Sequence, residues 1–570
     1  MRKKLPLFLL FIIIFFNLFS QNDSRFLFPK DIYKTGTYWA DSVYKTLSEE
    51  ERIAQLFWIA IERPENKTTF EYYRKQITTH KPGGIILFET TPQKALEVIN
   101  EFQTVSKVPL LVSIDGENGL SMRMPDVVEF PRAMTLGAIQ DDNLIFRMGL
   151  EIAHQLRLLG IHVNLAPVAD VNNNPANPVI GTRSYGENPE NVSHKSKAYM
   201  LGLQQGGVMA VAKHFPGHGD TNADSHKTLP VINHNRLRLD SVELFPFKRL
   251  IDAGIWGVMS AHLNVPALEK NEKVPSSFSS NILQNILRKE LGFDGLIITD
   301  AVNMQGVKTM GKPGVVDALA LAAGNDIVEF TENLSEAIKQ TKMLIESGKM
   351  SWDDIEQKCK KSLAFKYFLI YKNNSSLVAK GDVYMELNSY PAQRINKKLN
   401  EAAVTMLVND KDIIPIKNNA SEKWNCYILG NAPAFENEIR KSDNITVFKL
   451  PINNDVAFDA MIKKAEQSSN VILVVADDRW ARNNANLNKK QQLLKLAGRE
   501  QSIMLFMGNA YNLSRWKGAE KFDGLLMTYQ NTKEAQEAIS SALTGKSGIS
   551  GRLPVSVSGM FKVGYGILNK

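Results

Sequence analysis

Cysteine is scarce in this sequence, since Cys359 and Cys426 are the only two cysteines in 570 residues. One falls in a predicted helix and the other in a predicted strand of a different domain, and this separation argues against a disulfide bond. The chain is long enough for two to four domains with large cores. We therefore expect the fold to depend on its hydrophobic core.

Blocks of basic residues are also missing. The formal net charge is +8, and Arg2, Lys3 and Lys4 carry three of these charges. The remaining excess is diffuse and lacks the Lys/Arg-rich patch that follows a phosphate backbone. A nucleic-acid partner is therefore not expected.

Long apolar runs are confined to the N-terminus. Arg2, Lys3 and Lys4 precede an apolar run over 5–19, and Ser20 supplies a small residue after it. This order predicts a signal peptide over residues 1–20 and an exported protein, periplasmic or secreted. An uncleaved anchor helix is the alternative, although the run is short for a membrane span. We expect no stable membrane insertion once the signal is cleaved.

Short apolar runs alternate with amphipathic helical patterns from about Arg52 to Tyr371. This alternation predicts a (β/α)8 TIM-like barrel or a closely related α/β fold over 21–372, with a doubly wound open sheet as the alternative. The predicted strands are Gly84–Phe88, Leu110–Asp115, His162–Pro167, Val208–Lys213, Gly257–His262, Leu296–Asp300 and Asp326–Phe330. The clearest helical patterns are Gln93–Val105, Ile145–Leu159 and Asn281–Leu291.

A second α/β pattern follows a predicted linker over 373–394. It predicts a C-terminal α/β sandwich domain over 395–570, without a comparable cluster of reactive residues. Its predicted strands are Trp424–Gly430, Val471–Ala476, Ile503–Gly508 and Gly524–Met527, with helices near Asp455–Ala465 and Thr532–Leu543.

The richest cluster of titratable side chains lies over 213–226, where three of the nine histidines occur with a lysine and two aspartates. The preceding apolar run, 207–212, is typical of a buried parallel strand, and catalytic groups collect at the carboxyl ends of such strands. A polar loop that braces its own backbone is one alternative. Another is a zinc site from His214 and His218, but Pro216 and two glycines oppose the helix that their spacing requires.

Other predicted strands also end in reactive residues, namely Asp115, His262 and Asp300. A glycine-flanked loop over 180–186 presents Arg183. Because a barrel gathers the carboxyl ends of its strands on one face, residues nearly 200 positions apart can share one pocket.

With these motifs assembled, the chain resembles glycoside hydrolase family 3, and most closely its β-N-acetylglucosaminidase (β-hexosaminidase) branch. The motif Lys-His-Phe-Pro-Gly-His-Gly-Asp over 213–220, followed by Asp224-Ser225-His226, is the most specific part. Segments 259–262, 292–295 and 551–555 fit as well.

The resemblance implies roles for individual residues. Asp300 matches the catalytic nucleophile, His226 the general acid/base, and Asp224 the carboxylate that orients this histidine. Asp115 matches the carboxylate that binds sugar hydroxyls. The remaining sugar-binding groups match Arg123, Arg183, Lys213 and His214. No metal and no other cofactor is expected.

The implied chemistry is coherent, because a retaining glycosidase needs a carboxylate on one face of the sugar and a proton donor at the leaving oxygen. A histidine titrates near neutrality and can serve as both acid and base. In an extended loop Asp224 and His226, two residues apart, point the same way.

The expected activity is a secreted retaining exo-β-N-acetylglucosaminidase that removes terminal N-acetylglucosamine from peptidoglycan fragments or related glycans. A histidine donor does not repel an anionic acceptor, so an N-acetylglucosaminide phosphorylase is an alternative. A β-glucosidase of the same family and a non-catalytic sugar-binding protein are the others. The sequence does not indicate an oligomeric state.

Two positions depart from the family pattern, which usually reads Glu-Gly-Gly-Arg after the first aspartate. Here Asn118 replaces a glycine and Leu120 replaces the arginine. Asn118 could alter the turn, although asparagine tolerates left-handed backbone better than most residues. Arg123 keeps its spacing from Asp115, so we expect sugar binding to be retained.

Overall fold

The computed structural model describes residues 27–221, 229–372, 382–417, 419, 421–557 and 559–569. The predicted signal peptide lies outside these residues. Within the described part, no helix has the length and apolar character needed to cross a membrane.

The first domain is built on a curved parallel sheet whose strands follow one another in chain order. Among the described residues these strands are β1 (Trp58–Ile61), β2 (Gly84–Leu87), β3 (Leu111–Ile114), β4 (Val163–Asn164), β5 (Met209–Phe215), β6 (Gly257–Ser260) and β7 (Leu296–Thr299). Ile327 forms a parallel bridge to Ile298 of β7, and Val328 forms one to Phe57 beside β1. The segment around these two residues closes the sheet, which matches the predicted barrel and not the open-sheet alternative.

Helices surround this sheet. They are α1 (Pro29–Thr46), α2 (Glu49–Ala54), α3 (Lys67–His80), α4 (Pro92–Val105), α5 (Ala133–Gly137), α6 (Asp142–Leu158), α7 (Pro189–Gln205), α8 (Arg236–Ser241), α9 (Phe245–Asp252), α10 (Val315–Ala323), α11 (Leu334–Glu346) and α12 (Trp352–Lys366), with π-helices at Asn281–Glu290 and Tyr367–Lys372. Several begin at an asparagine whose side chain accepts a backbone N–H, as Asn66, Asn188, Asn235 and Asn333 do. Such caps satisfy donors that a helix start leaves free.

The barrel strands are buried because helices cover their outer face and side chains fill the interior. Every residue of β2, β3, β5, β6 and β7 is buried. This double burial explains why these strands read as continuous apolar runs and not as alternating patterns. The predicted strand Asp326–Phe330 is present as two isolated bridges at Ile327 and Val328, and Phe330 has a positive φ of 61°.

The second domain contains a mixed sheet. Its strands in the described residues are β8 (Thr405–Asn409), β9 (Trp424–Gly430), β10 (Ile445–Lys449), β11 (Asn470–Ala476), β12 (Gln501–Met507) and β13 (Gly524–Thr528). Their order is β10-β9-β11-β12-β13-β8, and β8 alone runs antiparallel to its neighbour. Helices accompany this sheet at α15 (Pro433–Ile439), α16 (Asp455–Glu466), α17 (Asp478–Arg482), α18 (Leu487–Leu494), α19 (Ala510–Leu513) and α20 (Lys533–Leu543).

The segment predicted as a linker is partly helical. Residues 373–381 lie outside the described residues, but α13 (Val383–Leu387) and α14 (Tyr390–Ala403) follow directly. Asp382 and Ser389 cap these helices by accepting backbone N–H groups. Two of the polar residues that interrupt the sequence pattern here, Asp382 and Ser389, are therefore helix caps. Cys359 in α12 and Cys426 in β9 are buried free thiols, as their positions in different domains predicted.

Candidate active site

A cavity of about 320 Å³ opens at the carboxyl ends of the barrel strands. Six of the eight predicted site residues line it, namely Asp115, Arg123, Arg183, Lys213, His214 and Asp300. They come from segments that follow β3, β4 and β7 and from β5 itself. The fold thus brings them together as the barrel prediction requires.

Asp115 lies at the tip of β3 between two cations. Its Oδ2 is 2.5 Å from Arg123 Nη2, and its Oδ1 is bound by the ammonium group of Lys213. Burial opposes the ionisation of Asp115, but Lys213 and Arg123 outweigh it and hold the pKa of this carboxyl below its usual value. Asp115 is therefore an acceptor, as the binding of a sugar hydroxyl requires.

Glu117 joins two of the predicted sugar-binding residues. Its Oε1 accepts from Arg183 Nη2 at 2.6 Å and lies 3.0 Å from Lys213 Nζ. Arg183 Nε completes a two-point contact at 3.0 Å. Burial is the largest influence on Glu117, but the charges of Arg183 and Lys213 keep the pKa of Glu117 well below its ordinary value. The sequence alone did not identify Glu117 as a site residue, although it lies two positions after Asp115.

Asp170 holds His214 in place. Its Oδ2 is 2.7 Å from His214 Nδ1, and its Oδ1 accepts the backbone N–H groups of His214 and His218 at 3.2 and 2.7 Å. Because the pKa of Asp170 is lowered by His214 against the effect of burial, its carboxylate accepts and His214 Nδ1 donates. The other ring nitrogen, Nε2, lies 3.3 Å from Arg183 Nη2.

The loop after β5 is held against the loop after β4. A Cβ on Gly219 would lie 1.9 Å from the carbonyl oxygen of Val171, so only glycine fits this approach. His218 Nδ1 lies 3.0 Å from Thr221 Oγ1. Burial, followed by the charge of His214, lowers the pKa of His218 to about 4. The two remaining predicted site residues, Asp224 and His226, follow this loop and lie outside the described residues.

Asp300 stands at the tip of β7. Its Oδ1 accepts the backbone N–H of Ala301 at 2.8 Å. Burial opposes its ionisation, yet His214 and His262, and to a smaller extent Lys213, hold its pKa below the usual value. Asp300 is thus a partly buried, ionised carboxylate facing the cavity, the state that a carboxylate nucleophile needs.

His262, at the end of the segment following β6, orients the loop after Asp300. Its Nδ1 lies 2.6 Å from Ser277 Oγ and its Nε2 lies 3.0 Å from the carbonyl oxygen of Ala301. Burial lowers the pKa of His262. The sequence drew attention to this histidine, and the structure places it beneath the Asp300 loop.

The turn after Asp115 accommodates the two departures from the family pattern. Its left-handed residue is Gly119, with a φ of 86°, whereas Asn118 does not have a positive φ. Asn118 Nδ2 instead donates to the carbonyl oxygen of Phe130 at 3.4 Å. Leu120 is fully buried in the core. The turn therefore remains compatible with the Asp115–Arg123 pair.

The histidines of the zinc alternative have separate partners, since His214 Nδ1 faces Asp170 and His218 Nδ1 faces Thr221. Elsewhere in the described residues, Asp220, His234 and Glu243 bring potential ligand atoms within 4.8 Å of one another. Arg238 Nη2 lies 3.2 Å from Glu243 Oε1 and 3.7 Å from Asp220 Oδ2. A guanidinium group thus already balances these carboxylates.

The second domain contacts the loops that carry the site. The Tyr511 hydroxyl donates to the backbone oxygen of Asn172 and accepts from Asn172 Nδ2, both at 2.8 Å. Asn172 Oδ1 in turn accepts the backbone N–H of Gly181, which begins the turn containing Arg183. Glu187 accepts from the backbone N–H and hydroxyl of Ser556, at 3.0 and 2.5 Å.

Family models cover both domains. Residues 48–364 match the glycosyl hydrolase family 3 N-terminal domain, and residues 364–560 match the family 3 C-terminal domain. Together with the barrel and its carboxylate-lined cavity, these matches confirm the family predicted from the motifs.

Named relatives agree with this assignment. A β-hexosaminidase A of Pseudoalteromonas piscicida is 30% identical over 430 residues, which cover 68% of this chain and 71% of the relative. A β-hexosaminidase of Nitrosomonas eutropha is 36% identical over 271 residues, or 46% of this chain and 77% of the relative. The structure of a family 3 β-N-acetylglucosaminidase from Paenibacillus sp. superposes with a TM-score of 0.74 at 28% identity, covering 90% of this chain and 99% of the other. The chain is a glycoside hydrolase and belongs to glycoside hydrolase family 3.

Proposed function

We propose that this enzyme is an exported, retaining exo-β-N-acetylglucosaminidase that hydrolyses terminal β-linked N-acetylglucosamine from peptidoglycan fragments or related glycans. The observation that carries the proposal is the ionised, partly buried Asp300, which faces a cavity where Asp115 and Lys213 are held in charged hydrogen bonds. The activities named for the relatives support the choice of sugar.

In the proposed mechanism, Asp300 attacks the anomeric carbon and forms a covalent glycosyl-enzyme. His226 donates a proton to the leaving oxygen and then removes a proton from the attacking water, while Asp224 orients it. Asp115 accepts a hydrogen bond from a sugar hydroxyl. Lys213, His214, Arg123 and Arg183 complete the sugar contacts and keep the carboxylates ionised.

The sugar-binding side chains are held in place before a sugar enters, and this preorganisation supports the proposal. Lys213 is buried, Arg123 and Arg183 are partly buried, and charged hydrogen bonds hold all three against Asp115 and Glu117, so they need little rearrangement when a sugar enters. Export rests on the signal-like N-terminus, and peptidoglycan fragments are proposed because an exported enzyme of this specificity would meet them.

Two variants test the assignment of nucleophile and acid. Asp300→Ala is expected to abolish turnover and to prevent the accumulation of a covalent adduct with a slow-reacting fluorinated glycoside, measured by intact mass. His226→Ala should impair substrates with poor leaving groups far more than activated aryl glycosides, because only the former need the proton.

His194→Ala serves as the control, since His194 is an exposed residue of α7. The kcat/KM of this variant should match that of the wild type on both classes of substrate. Equal losses on the two substrate classes would remove His226 from the acid role. A covalent adduct on another carboxylate would remove Asp300 from the nucleophile role.

A further inference from the structure

Glu329 is a buried carboxyl group that the proposed mechanism does not use. It lies in the segment that closes the barrel between β7 and β1, and it lines the cavity together with Asp115 and Asp300. Only 2% of its surface is exposed. Its backbone N–H donates to Thr299 Oγ1 at 3.1 Å, which fixes the backbone position from which the side chain projects.

The side chain itself is unsatisfied. Its Oε2 atom is buried without a hydrogen-bond partner among the described residues. Leaving a buried polar atom unpaired costs about 1–3 kcal/mol, so an unpaired carboxyl oxygen on a residue that lines the cavity needs an explanation. Packing alone does not account for a glutamate here.

The surrounding charges favour the protonated form. Burial, and then the negative charges of Asp300 and Asp115, raise the pKa of Glu329 well above its ordinary value. Lys213 opposes this effect, but its ammonium group is already bound to Asp115 and Glu117. These influences favour the protonated form of Glu329, which unlike its ionised neighbours has a proton to donate.

We propose that Glu329 is a specificity-determining residue, whose carboxylic acid donates a hydrogen bond to a hydroxyl oxygen of the sugar bound in the cavity. This inference rests on the proposed function, because it takes the cavity as the sugar site. A sugar hydroxyl both donates and accepts, so one edge of the sugar is matched by the acceptor Asp115 and the donor Glu329. A sugar without that hydroxyl leaves the buried acid unpaired and is bound less well.

The first test compares Glu329→Gln with Glu329→Leu. Glutamine keeps an N–H donor of similar shape, whereas leucine keeps the volume and removes the donor. With the aryl glycoside that the wild type cleaves best, we expect the glutamine variant to stay within about threefold of the wild-type kcat/KM. The leucine variant should lose roughly 10- to 100-fold, as expected for one hydrogen bond to a buried polar group. Glu346→Leu, an exposed position of α11, is the control and should show no loss.

The second test identifies the sugar atom. Aryl glycosides lacking the 3-, 4- or 6-hydroxyl are assayed with the wild type and both variants. On the substrate that lacks the bonded hydroxyl, the wild type and Glu329→Leu should have similar kcat/KM. Without that hydroxyl, the acid has no sugar hydrogen bond for the substitution to remove. Glu329→Met provides a second apolar variant if the leucine variant does not fold, and thermal unfolding separates loss of fold from loss of binding.

Three results would overturn the proposal. If glutamine is as damaging as leucine, the site needs an ionised carboxylate. If all variants equal the wild type, Glu329 does not contact the sugar. If no deoxy substrate couples to the substitution, its partner is not one of these hydroxyls. These results are distinct from failure of the proposed function, in which the wild type itself does not prefer the N-acetylglucosaminide.

Discussion

A single carboxylate, Asp170, accepts three hydrogen bonds from His214 and His218. An asparagine side chain could not replace it, because an amide has one oxygen and its NH₂ group would face an N–H donor. We therefore expect Asp170→Asn to lower kcat/KM by roughly 10- to 100-fold, the range for carboxylates that orient a functional histidine. Separate measurement of kcat and KM checks this, since a misplaced His214 should raise KM.

The matched control is Asp354→Asn, because Asp354 also accepts a backbone N–H but caps α12 away from the cavity. It should leave kcat and KM unchanged. If Asp170→Asn changed only the melting temperature, Asp170 would have a structural role and not a positioning one.

The Glu117–Arg183 pair predicts a large effect on stability. Removing the Glu117 charge leaves the buried Lys213 and the partly buried Arg183 with one carboxylate fewer. We expect Glu117→Gln to lower the free energy of unfolding by about 3–5 kcal/mol. The exposed Arg74–Glu101 pair has a similar contact distance of 2.9 Å, and Glu101→Gln should cost at most about 1 kcal/mol. Denaturant titration measures the free energy of unfolding of both variants. Equal losses would contradict the prediction that the Glu117 pair stabilises the fold more than an exposed pair does.

At the scale of elements, the contact between Tyr511 of α19 and Asn172 links the second domain to the Arg183 turn. We expect Tyr511→Phe to raise KM several-fold, because the turn loses part of its support. Tyr529→Phe is a matched control, since the Tyr529 hydroxyl bonds Thr405 within the second domain. It should lower stability by a similar amount and leave KM unchanged. A rise in KM for both variants would indicate general loosening.

The elements differ in how far sequence alone could predict them. Buried strands such as β2 and β5 stand out as apolar runs, and their ends carry the residues that line the cavity. The edge strand β10 escaped prediction because it is short and Thr446 and Lys449 are exposed. Asp170 and Glu329 escaped as well, because their roles depend on partners distant in sequence. The family motifs supplied individual roles that no local pattern could assign.

At the scale of the whole molecule, Lys366 is a fully buried lysine of α12 whose Nζ donates to Gln55 Oε1 at 2.5 Å. Burial lowers the pKa of Lys366 to about 7. Lysine in the unfolded chain has a pKa of about 10.4, so between about pH 7 and this value the unfolded chain binds more protons at this position than the folded chain does. The free energy of unfolding therefore rises with pH over that range. The cost of burying the charge is greatest at about pH 7 and below.

We therefore expect the gain in melting temperature of Lys366→Met over the wild type to be greater at pH 7 than at pH 10. The unpaired oxygen of Gln55 reduces the gain equally at both pH values. Lys195→Met is the contrasting variant, because Lys195 pairs with Asp142 and its removal should destabilise the protein. A gain for Lys366→Met that did not change with pH would contradict the assigned protonation.

The most direct test of the proposed function is the hydrolysis of an aryl N-acetyl-β-glucosaminide against the matching β-glucoside, each with and without phosphate. The account predicts strong preference for the N-acetyl sugar and release of free sugar at a rate that phosphate does not change. Acceleration by phosphate with formation of a sugar 1-phosphate would contradict hydrolysis. Preference for the glucoside, or turnover of neither substrate, would contradict the proposed specificity.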